Sequence, residues 1–72
     1  MTYHSVIIQG LRFKMAEGAI QSTNVQLVLD KLDDEQAAKV LQDAKRMRPA
    51  YTNKPVHAML LNLIIIGASK RL

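Results

Sequence analysis

Asp33, Asp34 and Glu35 stand in a row, and paired carboxylates can do general acid–base chemistry. Gln36 follows them, and Asp-x-x-Gln resembles the capping box that opens a helix. Acidic residues also suit the positive end of a helix. The cluster therefore reads as a helix start rather than a catalytic pair. Ser5, Ser22 and Ser69 have no base at a recognisable spacing, and there is no glycine-rich phosphate loop or nucleophile elbow. His4 and His57 are far apart, with no carboxylate at ligand spacing and no cysteine in the chain. Neither a metal site nor a disulfide is expected. The expectation is a protein without enzymatic activity, cofactor or metal.

The remaining polar chemistry is basic. Ten Lys and Arg face six Asp and Glu, for a net charge of +4 and a pI near 9.8. Residues 25–53 balance five basic side chains against five acidic ones. The surplus lies in Arg12 and Lys14 near the start and in Lys54, Lys70 and Arg71 near the end. Such an excess suits a polyanion such as nucleic acid.

Seventy-two residues make one domain, and a domain this small buries too little surface to be robust alone. The stretch VHAMLLNLIIIGASKRL, residues 56–72, sharpens the problem. Met59, Leu60, Leu61, Leu63, Ile64, Ile65 and Ile66 leave a helix almost no polar face, and such a helix must be covered all round. A second copy of the chain is the expected cover. The apolar run is shorter than the roughly 20 residues that span a bilayer, so no membrane segment is expected. The first residues lack the pattern of a signal peptide, and the chain has no cysteine. Both fit the cytoplasm.

Residues 5–15, SVIIQGLRFKM, read as a strand, with Ala16-Glu17-Gly18 as a turn and residues 19–31 as a returning strand. The apolar face of that hairpin would carry Ile7, Leu11, Phe13, Met15, Val25, Leu27 and Leu29. Val6, Ile8 and Val28 would fall on the mixed face. A competing reading makes 24–32 helical, because Val25, Val28, Leu29 and Leu32 also fit a 3.6-residue stripe. The valines and threonine favour the strand. A helix is expected from Asp33, with Ala37, Val40, Leu41 and Ala44 inward, ending before Pro49. Thr52 and Asn53 are N-cap candidates, and Pro55 opens a last helix running to about Ser69. Gly67 weakens that helix near its end.

Strand, acidic helix start, turn and apolar helix together resemble the ribbon-helix-helix superfamily of Arc/MetJ-like regulators. VQLVLDKLDDEQAAKVLQDAKR at 25–46 and TNKPVHAMLLNLIIIGASKRL at 52–72 carry the resemblance. It covers about the last 48 residues, with 1–24 as an N-terminal extension. It implies an α+β fold, a strand or hairpin followed by two helices, in an intertwined homodimer. It also implies a DNA-binding transcriptional regulator: a repressor, an antitoxin-like protein, or a plasmid or phage accessory factor. A paired β-ribbon would enter the major groove of double-stranded DNA. Gln26 would read bases in one register and Lys31 would face outward in the other. Thr52, Asn53 and Lys54 would hold phosphate at the start of the last helix. Arg12 and Lys14 of the extension would add positive charge. The alternative is a non-enzymatic ββαα interaction module or inhibitor that dimerises through its last helix and binds another protein.

Overall fold

Val6 and Ile8 sit at even positions, whereas Leu11, Phe13 and Met15 sit at odd ones. A single strand would send these two groups to opposite faces. A two-residue turn between them brings both groups to one face. The computed structural model, which describes residues 2–17 and 23–72, has that turn. Strand β1 (Tyr3–Ile8) pairs antiparallel with β2 (Leu11–Ala16), with Ser5 opposite Lys14, Val6 opposite Phe13 and Ile8 opposite Leu11.

Gln9 and Gly10 form the turn, both at positive φ, 55° and 77°. Two positive φ values are what a type I′ hairpin turn requires. Glycine adopts them freely, but glutamine does not. The Gln9 side chain donates to the Asp43 carboxylate, which fastens the turn to a helix.

The expected continuous strand over 5–15 is thus corrected to a hairpin, and its turn moves from 16–18 to 9–10. The core face is corrected with it: Val6 and Ile8 are buried, while Ile7 is 58% exposed. Gly18 lies outside the described residues.

The returning strand is corrected as well. Its described part forms helix α1 (Thr23–Asp30); residues 19–22 lie outside the described residues. Val25, Leu29 and Leu32 are buried at a spacing of four and three, so the helical stripe prevails. Leu27, assigned to the core by the strand reading, is 54% exposed. Alternate residues of β2 point their N–H groups away from β1, which would leave an open sheet edge. Asn24 covers it: its side-chain oxygen accepts the Lys14 N–H at 2.6 Å.

Helix α2 (Asp34–Met47) begins as expected, with the Asp33 carboxylate accepting the Gln36 N–H at 2.7 Å. Ala37, Val40 and Ala44 are its buried stripe. The chain then makes a 3-10 turn (Arg48–Tyr51) around Pro49 and enters α3 (Pro55–Arg71).

Helix α3 is where the interior concentrates. It packs against β1, α1 and α2, and Leu60, Leu61, Ile64 and Ala68 are fully covered. One chain therefore buries much of a helix whose sequence calls for cover on every side. The reason is the hairpin, whose inward Val6, Ile8, Phe13 and Met15 join the same core cluster. Large apolar side chains stay exposed on this helix at Met59 (47%) and Ile66 (53%), with half-buried Leu63 between them.

At the far end, Arg71 donates to Leu29 O at 2.7 Å and also to Leu32 O. A cation at the C-terminal end of α1 is favourable on dipole grounds too. Among the described residues, no helix is long and apolar enough to cross a membrane.

Candidate nucleic-acid interface

With Val6, Ile8, Phe13 and Met15 inward, the other face of the hairpin is determined. It presents Tyr3, Ser5 and Ile7 from β1 and Arg12 and Lys14 from β2. All five are exposed, and none is acidic. Arg12 and Lys14, two residues apart on one strand, stand roughly 7 Å from each other. The Lys14 ammonium lies 6.0 Å from the Tyr3 ring centroid, at the outer limit of a cation–π contact. The opposite face is packed into the core.

A second basic feature lies under the start of β1. Lys54 is the N-cap residue of α3 and supplies no side-chain cap, and Pro55 follows it. Its ammonium sits 5.7 Å from the Tyr51 ring centroid. Tyr51 stacks on His57 at 5.4 Å with an interplanar angle of 14°. His57 meets the edge of His4 at 5.1 Å and 87°. His4 is the β1 neighbour of Tyr3, and successive strand residues point to opposite faces. The Lys54–Tyr51–His57–His4 contacts therefore end beneath the hairpin whose outer face carries Tyr3 and Lys14.

Burial, then the proximity of His4, then that of Lys54 hold the His57 imidazole below the ordinary histidine pKa. The Nε2 of His4 is buried without a hydrogen-bond partner. Among the described residues, no three His, Cys, Asp or Glu side chains gather as metal ligands.

The expected DNA contacts divide accordingly. Arg12 and Lys14 share the hairpin face. Thr52, Asn53 and Lys54 are exposed together before α3, although the Thr52 hydroxyl already donates to Pro49 O at 2.8 Å. Gln26 and Lys31 do not join a ribbon, because no strand forms there. Gln26 lies on α1 and donates to Asp30 at 2.7 Å, one helical turn away, and Lys31 is in the turn that follows.

Sequence reasoning missed Tyr3, Tyr51 and the meeting of the two histidines. For Tyr3 a signal existed: once the turn is placed at Gln9-Gly10, strand alternation puts it beside Lys14. Nothing in the spacing of His4 and His57 indicates that they touch. Neither a family model, nor a curated protein, nor a solved structure matches this chain.

Proposed function

We propose that this is a small DNA-binding protein that lays the outer face of its β1–β2 hairpin on double-stranded DNA and acts as a homodimeric regulator. The observation that carries the reading is the placing of Arg12 and Lys14 side by side on an exposed ribbon face with no acidic side chain among its described residues. A two-stranded ribbon is narrow enough for a major groove, where arginine pairs with guanine and lysine with guanine or phosphate. Lys54 and the uncapped first turn of α3 add a second place for phosphate. The likeness to ribbon-helix-helix proteins depends on a strand at 25–31, and that segment is helix α1 and the turn after it. The reading rests instead on the charge of the hairpin at 3–16, which pairs within one chain.

The homodimer rests on the stripe of Met59, Leu63 and Ile66, which follows i, i+4, i+7 spacing along α3. The same stripe supports the second reading, a module that docks on another protein. In that case the chain should bind no duplex.

Fluorescence anisotropy with a labelled duplex across a salt series tests the first reading. The Arg12→Ala/Lys14→Ala variant should bind more weakly. Its log K against log salt slope should be flatter by about one unit for each of the two side chains that contacts phosphate. Duplex binding that ignores both salt and this double substitution sinks the proposal. Sedimentation checks the dimer: the wild type should run as a dimer and Ile66→Lys as a monomer. A wild type that is already monomeric removes the homodimer.

A further inference from the structure

We propose that the contact between His4 and His57 is an acid-sensitive latch that fastens the start of β1 to α3. It is closed while the His57 ring is neutral and opens when that ring takes up a proton. The latch joins segments 53 residues apart in sequence and involves both histidines of the chain.

The groups facing His57 come from three places. His4 approaches from β1, Tyr51 from the 3-10 turn, and Lys54 from the loop before α3. None is acidic. Helix α2 also packs near β1, but its Asp43 is engaged by Gln9 and Arg46 at the turn end of the hairpin. His4 lies roughly 16 Å back along the strand. A proton on His57 therefore adds a like charge beside Lys54, with no carboxylate among the described residues to answer it. The stacked Tyr51 face favours an imidazolium. Burial, His4 and Lys54 oppose it, and their sum favours the neutral ring.

The sign of the pH effect follows. The folded chain binds a proton at His57 less readily than the unfolded chain does. The stabilisation is therefore complete above about pH 6.5 and is lost as pH falls through the lower, folded value.

NMR titration of the His57 imidazole in the full chain, with amide exchange read at residues 4–6, tests the latch. His57 should titrate below the ordinary histidine value, and His4→Gln should move it upward. Exchange at the start of β1 should rise on acidification before the rest of the core opens. The urea midpoint should fall between about pH 7.5 and about pH 5, and the fall should be smaller in His57→Phe, which keeps the stack on Tyr51 but cannot titrate. Titration of His57 in the wild type needs no variant to fold. A value at or above the ordinary one overturns the proposal. So does an acid loss in His57→Phe equal to that of the wild type.

Discussion

Phe13→Ala should lower the unfolding free energy by about 3–5 kcal/mol, in the range for truncating a buried aromatic ring. Phe13 is fully covered and is the largest side chain in that state. It lies opposite Val6 in the hairpin and belongs to the cluster that includes Leu60, Leu61 and Ile64 of α3. It therefore holds the ribbon onto the helices. A chain of 72 residues has a total stability of roughly 4–11 kcal/mol. Losing Phe13 removes a large part of that, so the variant should be substantially unfolded at moderate temperature. Urea unfolding followed by circular dichroism measures the effect. A cost near 1 kcal/mol would show that the hairpin is not part of the cooperative core. Ile7→Ala is the natural contrast. It lies on the same hairpin but on the exposed face, and it should change stability by no more than about 0.5 kcal/mol.

Gly67→Val is the second large effect. From sequence, Gly67 is a weak point in a helix. In the structure it is a contact surface: a Cβ built there would overlap Leu29 Cδ1. Leu29 is itself buried and cannot swing into solvent. Two terms compete. Replacing glycine improves helix propensity by a few tenths of a kcal/mol for valine and by about 1 kcal/mol for alanine. Overpacking costs about 1–3 kcal/mol. With valine the propensity gain is small and the side chain is stiff, so the expected result is a net loss of about 2 kcal/mol. The mechanism makes a further demand. In Gly67→Val/Leu29→Ala the added methyls fall in the space that Leu29 leaves. The double variant should then be more stable than the sum of the two single losses implies. Strict additivity in that thermodynamic cycle would mean that Leu29 is not what glycine makes room for.

The helices after residue 32 were largely legible from sequence, because their signals are local. Asp33 three residues before Gln36, the Ala37–Val40–Ala44 stripe, and Pro49 all act within one or two turns of chain. The first third was not. Residues 24–32 fit both a strand and a helix pattern, their β-branched residues favour the strand, and only the position of the core makes them helix. Packed beside β2 and over Gly67, a helix buries Val25, Leu29 and Leu32 together. A strand there would have buried Leu27 and left Val28 out. The hairpin turn was legible in principle, through the change of phase between Ile8 and Leu11. Gln9 concealed it, because glutamine is a poor occupant of the left-handed region and is held there by Asp43 from a distant helix.

The candidate interface has the same history. Sequence named Arg12 and Lys14 as basic, and alternation put them on one face. Their company was decided by the register that sets Ser5 opposite Lys14 and brings Tyr3 alongside.

By itself, then, the sequence determined the charge, the absence of cysteine chemistry, the two later helices and the apolar excess of the last one. Each depends on composition or on neighbours within a few residues. Only tertiary structure decided what covers α3, whether 24–32 is helix or strand, and that His4 meets His57. Those outcomes depend on groups tens of residues apart sharing one small core, which no local pattern encodes.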